Sequence, residues 1–352
     1  NQLDDGTLAG HQSWADNSLQ VHPAVRQCLH MVAGHELRAC FPLDSVRIQG
    51  GYPANVKEVV YPGSHSDVGG GYAPGDLGVG LKPNEQMSII PGRDMYRAAR
   101  IAGVPLPLFN DLKTSNQDVY VALTPTDSLV QLYNAYLRDA AVAPAPVEEM
   151  LRQHMALYQS FRFKWREGFE NLPFMRQAKP EHAAYLRTTQ KGLMERMLAL
   201  GGGDANAQHP SSHLLPSPLV HSSKFLAQPD ANTTAPAPPW QVLPRISDRQ
   251  RNPWTNPYFD PVAAARLYRQ LAAKNGYTLS QQERKWCEVG ERMRLQALTD
   301  SMAKLFASHL HDSLAGFIGI GVDESTGFDL GLKVFGNQLG LMKFRTVFKG
   351  DD

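Results

Sequence analysis

The chain has 352 residues and nearly balanced charge, with 35 Lys and Arg against 34 Asp and Glu. No global field gathers nucleic acid or an anionic membrane, so a nucleic-acid-binding module is disfavoured. No apolar run approaches the roughly 18 residues a membrane span needs, and three cysteines without a Cys-x-x-Cys pair support neither a disulfide framework nor a zinc ribbon.

The chain opens Asn1-Gln2-Leu3-Asp4-Asp5 without Met, basic or apolar leader, which reads as a chain whose true beginning lies upstream. Val25, Cys28, Leu29 and Val32 recur at i, i+3, i+4 and i+7, which predicts a helix from His22 to about Phe41, with Pro23 in its first turn. Val56 to Tyr61 is short and β-branched and predicts a buried strand running into the Pro62-Gly63 loop. Helical patterns follow over 86–102 (compromised by Pro91-Gly92), 129–137, 147–158 and 185–200, with 107–127 reading as a polar loop. Pro, Ser, Ala, Asn and Gly dominate 201–239, which reads as a long surface loop, mobile in part. Helices are expected again over 261–275 and 279–307, and glycine-punctuated apolar runs over 330–348 suggest a terminal hairpin.

Chemistry concentrates in Tyr61-Pro62-Gly63-Ser64-His65-Ser66-Asp67-Val68-Gly69-Gly70-Gly71-Tyr72, directly after the predicted strand. Reacting groups in open α/β sheets gather at the carboxyl ends of strands. His65 supplies a proton acceptor near neutral pH, and Asp67 can orient a ring or cap a turn. The glycines permit backbone with positive φ close to a ligand. A tight loop capped by Asp67, with no chemistry, is the plainer reading of the same residues.

This segment resembles the α/β-hydrolase phospholipase effectors of bacterial type VI secretion, first lipase-effector family, whose loop reads Phe/Tyr-Pro-Gly-x-His-Ser-Asp-Val-Gly-Gly-Gly-Tyr. His30-Met31-Val32-Ala33-Gly34-His35-Glu36-Leu37-Arg38-Ala39-Cys40-Phe41 is similar to the family's preceding His-Ala-x-Ala-x-x-Glu-x-Arg-x-x-Phe segment. Near the end, His311-Asp312-Ser313-Leu314-Ala315-Gly316-Phe317 resembles its His-Asp-Ser-x-x-x-Phe segment, and Phe344-Arg345-Thr346-Val347-Phe348 its closing strand. The middle matches only as generic helices. The resemblance implies an α/β fold with an α/β-hydrolase-like sheet, incomplete at its N-terminus. Residues 1–110 would be the C-terminal part of that core, 111–300 a large helical insertion and 301–352 a segment returning to the core.

The family's nucleophile sits in a Gly-x-Ser-x-Gly elbow, and the sequence has none. Ser13, in Gly10-His11-Gln12-Ser13-Trp14, lacks the second glycine and a preceding strand. Triad order in these enzymes is Ser, then Asp or Glu, then His. With His65 as base, Ser and its orienting acid are expected upstream of Asn1. Asp67 as acid with His311 as base also satisfies the order, although a His311-Asp312 pair after a helix often only caps it.

His30, His35 and Glu36 lack the His-Glu-x-x-His spacing of a zinc site and read as surface or core residues. Phe161-Arg162-Phe163-Lys164-Trp165-Arg166 suits either a lipid headgroup interface or a helix core, the core being favoured. The resemblance implies phospholipid hydrolysis without metal or organic cofactor and peripheral membrane contact. It also implies a secretion spike protein and an immunity protein as partners, and action in a target bacterium's periplasm. A catalytically silent module that keeps the hydrolase framework is the alternative.

Overall fold

A computed structural model describes residues 20–38, 41–200, 259–279 and 281–315, together with three short strands near the C-terminus. Ser13, the loop over 201–239 and most of the expected terminal hairpin lie outside the described residues. The described strands are β1 (Cys28–Ala33), β2 (Leu43–Asp44), β3 (Val56–Tyr61), β4 (Ile318–Gly319), β5 (Val322–Asp323) and β6 (Val347–Phe348).

The helix expected from His22 to Phe41 is not formed; its centre is β1, which runs parallel to β3 from Cys28↔Val56 to Ala33↔Tyr61. In so short and mostly apolar a window, the residues of a strand also fall at helical spacings, so periodicity alone does not separate the two. His30 stands opposite Glu58 in the register and its Nδ1 lies 2.9 Å from Oε1, a cross-strand pair. β2 pairs parallel with β6, and β4 pairs antiparallel with β5. Among the described residues the strands thus form three two-stranded ladders within a helix-rich fold, α/β in character.

The helices are α1 (His65–Gly69), α2 (Ile89–Ile101), α3 (Leu112–Ser115), α4 (Gln117–Ala122), α5 (Asp127–Ala140), α6 (Val147–Lys164), α7 (Pro173–Gln177), α8 (Pro180–Leu200), α9 (Pro261–Lys274), α10 (Gln281–Arg292) and α11 (Asp300–Ser308). Short helices α3 and α4 replace the loop expected over 107–127. The single helix expected over 279–307 is broken between α10 and α11. There the Arg294 N–H donates to Ser160 Oγ at 2.8 Å, and Thr299 caps α11 by accepting from Met302 N. Two tertiary and capping bonds therefore replace the helical ladder at the break.

The main core gathers Leu129 and Tyr136 of α5, Leu157 and Phe161 of α6, Leu193 and Met197 of α8, and Met302, Leu305 and Phe306 of α11. Phe161, Arg162 and Phe163 are all buried, so this stretch is helix core and not a headgroup interface. No described helix is long and apolar enough to cross a membrane. A smaller cluster of Val32, Leu43, Val147 and Leu151 fixes β1 and β2 against α6, and so holds the strand ends from which the site is built.

Candidate functional site

β3 ends at Tyr61, and three residues, Pro62, Gly63 and Ser64, turn the chain into α1, whose first residue is His65. The turn is clamped from both sides. Gly63 has φ +119°, and a Cβ there would collide with the Cβ of Asp67. The His35 N–H donates to the Gly63 carbonyl at 2.9 Å, and the Gly63 N–H donates to His35 Nδ1 at 2.7 Å. Asp67 Oδ2 accepts from the backbone N–H of Ser64 at 2.9 Å and from its hydroxyl at 3.0 Å, capping the first turn. Beyond α1, Gly70 and Gly71 take positive φ and turn the chain away.

His35 is neutral, because burial, then the neighbouring His154, push its pKa well below the ordinary value. Its Nδ1 accepts from Gly63, so the ring proton is on Nε2, 3.2 Å from the His154 carbonyl. The Tyr136 hydroxyl lies 2.7 Å from His154 Nδ1, and burial lowers the His154 pKa to about 4.

The His65 ring is bracketed by a carboxylate and a hydroxyl. Glu36 Oε2 lies 2.7 Å from Nδ1, and the Ser66 hydroxyl lies 2.9 Å from Nε2. Arg38 Nη2 also approaches Nδ1, at 2.6 Å. Arg38 is donor-only, whereas a buried carboxylate at this range needs a proton between the two atoms, so we assign the proton to Nδ1. That tautomer leaves the Nε2 lone pair facing the Ser66 hydroxyl, with Arg38 Nη2 also near at 3.2 Å, and a free Nε2 lone pair beside a hydroxyl is what a general base requires. Phe41 stacks on the ring at 4.7 Å between centroids, and the Arg38 guanidinium lies 3.8 Å over Phe41. The His65 side chain remains 37% exposed while Glu36 is fully enclosed, so the proton acceptor reaches solvent and its carboxylate does not.

Burial by itself raises the Glu36 pKa, but hydrogen bonding to His65, the Arg38 charge, and hydrogen bonds from Arg38 and Ser313 outweigh it and hold the carboxyl well below its ordinary value. Ser313 Oγ donates to Glu36 Oε1 at 2.7 Å. Glu36 is therefore an anion at neutral pH, fixed by His65, Arg38 and Ser313.

Asp67 does not touch the His65 ring among the described contacts. Its Oδ1 lies 2.6 Å from His311 Nδ1, and its Oδ2 accepts from the His311 N–H at 3.1 Å. The structure thus brings Asp67 and His311 together, but in an enclosed position: the His311 side chain is 1% exposed and its ring lies 3.7 Å under Tyr72. Asp312 does not cap a helix either; it pairs with buried Arg162 of α6, and Thr189 of α8 donates to it at 2.8 Å. Glu36, Arg38 and Phe41 were missed as site residues by sequence reasoning. Their signal lay in the segment after β1, at spacings of two and three residues, read there as a helix with no site role.

The comparisons bear on these same residues. Residues 5–98 match the family model of the type VI secretion Tle1-like phospholipase effector, catalytic domain. The Tle1-like match takes in Glu36, Arg38, Phe41, His65 and Asp67 and ends within α2. It lies in the N-terminal part of the chain. The resemblance read from the His-Ser-Asp-Val-Gly-Gly-Gly loop is thereby found again over these residues. No curated protein matches the chain. An uncharacterized protein from Pseudomonas aeruginosa has a similar structure, with TM-score 0.55 and 20% identity over 96% of this chain and 48% of its own. At that identity the likeness is one of fold, and this chain spans about half the length of that protein.

Proposed function

We propose that the chain carries the base side of a serine-dependent phospholipase site, with His65 as general base and Glu36 as the carboxylate that orients it. The observation that carries this is the Glu36–His65–Ser66 line of hydrogen bonds, with the carboxylate on Nδ1 and a hydroxyl on Nε2 at the carboxyl end of a parallel strand. Glu36 also precedes His65, as triad order requires. His65 is favoured over His311 because a base must reach the reacting hydroxyl, and the His311 ring is enclosed between Asp67 and Tyr72.

In this mechanism a serine hydroxyl takes the place Ser66 marks. Its proton passes to His65 Nε2 as its oxygen bonds the acyl carbonyl carbon, and the carbonyl oxygen becomes an oxyanion held by backbone amides. The bond to the glycerol oxygen then breaks, and that oxygen takes the proton from Nε2. Water enters by the same route and releases the fatty acid. Glycerophospholipid acyl esters as substrate, delivery on a secretion spike protein, neutralisation by an immunity protein and action in the periplasm of a target bacterium belong to the same reading, supported by the Tle1-like match.

The test is ester hydrolysis by the full-length protein. His65→Ala is expected to abolish turnover with an unchanged fold, while Ser66→Ala retains it. Activity surviving in His65→Ala and lost in His311→Ala would move the base to the Asp67–His311 pair. Loss of activity in Ser66→Ala, with fluorophosphonate labelling of Ser66 in the parent, would make Ser66 the nucleophile.

A further inference from the structure

Helix α2 carries Arg93, Arg97 and Arg100 at i, i+4 and i+7, a single face of the helix. That face lines an open cleft of about 360 Å3 whose other walls include Phe109 and Tyr133. Asp94 is the cleft's one carboxylate among the lining residues, and its Oδ2 already accepts from the Tyr61 hydroxyl at 2.9 Å. Three guanidinium groups therefore face one engaged carboxylate.

Two of these guanidinium groups are held in place by contacts that leave donors free. Arg93 stacks 4.4 Å over the Phe109 ring, which uses its face and not its edge. Arg100 donates its Nε–H to the Leu106 carbonyl at 3.1 Å and keeps both terminal nitrogens. Arg97 has no hydrogen-bond or ion-pair partner among the described residues. Immediately beyond, the chain exposes Ile101, Val104 and Leu108 at 73%, 46% and 53%. The Arg100–Leu106 bond holds this exposed apolar segment next to a lining residue of the cleft, and a basic cleft beside exposed apolar residues is complementary to an anion attached to an apolar body. Tyr61 also ties the cleft to the end of β3, the strand that leads into His65.

We propose that this cleft binds the phosphate of a phospholipid headgroup, with Ile101, Val104 and Leu108 against its apolar part. The lipid as source of the phosphate rests on the hydrolase reading above; the phosphate chemistry does not.

The experiment compares the full-length protein with an Arg97→Gln/Arg100→Gln variant in sedimentation with phosphatidylglycerol-containing vesicles, and titrates both with inorganic phosphate. Both arginines are exposed, so matched melting curves establish that the variant is folded. Vesicle binding is expected to weaken at least about tenfold in the variant, as expected for two lost cationic contacts at an anionic surface. It is also expected to weaken in Ile101→Ser/Leu108→Ser. Equal vesicle binding by parent and variant would overturn the proposal. Saturable inorganic phosphate binding lost in the variant, without vesicle binding by the parent, would replace the lipid by a free phosphate. Hydrolysis of a soluble short-chain ester by the parent is read separately: its absence would sink the hydrolase reading, while vesicle binding still judges the cleft.

Discussion

Glu36 is the residue on which three segments of the chain meet: its own turn after β1, His65 at the start of α1, and Ser313 beyond α11. Its charge sets which nitrogen of His65 carries the proton, and an amide would not do so. Glu36→Gln is expected to lower kcat by about 10²–10⁴ with little change in KM, because the wrong tautomer is populated while the substrate surface is intact. Nitrogen-15 spectra of labelled imidazole should show the His65 proton on Nδ1 in the parent and redistributed in Glu36→Gln. An unchanged tautomer together with unchanged kcat would remove Glu36 from the mechanism. His65 and Asp67 were legible in sequence because they sit in a dense local motif after a strand. Glu36 was not, since its role depends on β1 and β3 lying side by side, and a strand misread as a helix sends its neighbours elsewhere. The Asp67–His311 pair was legible as an option, but its enclosure was not, because the stacking of Tyr72 is a tertiary event.

At the scale of elements, the strand-to-helix turn is where sequence and geometry agree most closely. Gly63 is needed there for two reasons, a positive φ and the approach of Asp67, so Gly63→Ala has no relaxed solution. We expect it to destabilise the fold by about 2–4 kcal/mol in urea titrations and to reduce activity further than stability alone explains, since the turn aims His65. Full activity with parental stability would show that the turn tolerates displacement. The break between α10 and α11 was hidden for a different reason. Helical periodicity continues across 293–299 in the sequence, but Ser160 on α6 and the Thr299 cap compete for the backbone donors. Such competition is visible only once α6 is in place.

Across the whole molecule, buried charge and buried neutral histidines set the acid limit. His154 titrates at about 4 in the fold against an ordinary 6.5, so below pH 6.5 the unfolded chain binds the extra proton. Its stability contribution is complete above pH 6.5, is lost as pH falls toward 4, and is on the order of 3 kcal/mol. His35 acts in the same direction. Glu36, whose pKa is depressed, adds stability that is present above its ordinary value of 4.5 and disappears as pH falls below it. The urea midpoint should therefore drop steadily from pH 7 to 5, with a shallower slope in His154→Gln; parallel slopes would place the acid sensitivity elsewhere. Arg162 and Asp312 tie α6 to the chain after α11 inside the core. Arg162→Met should cost about 3–5 kcal/mol by leaving the Asp312 carboxylate buried and unpaired, and adding Asp312→Leu should recover part of that loss. Additive losses in the double variant would mean the two residues act independently.

The bonds that complete the site span long stretches of chain: Asp67 to His311 across 244 residues and Glu36 to Ser313 across 277. A ribosome reads the strand, the turn and His65 well before Ser313 and His311, which hold Glu36 and Asp67. Long-range closure of this kind is slow, and it follows the packing of the helices in between. Until Ser313 and His311 have emerged and packed, Glu36 lacks its bond from Ser313 and Asp67 its bond to His311, so the fully hydrogen-bonded cluster forms only after the helices between them.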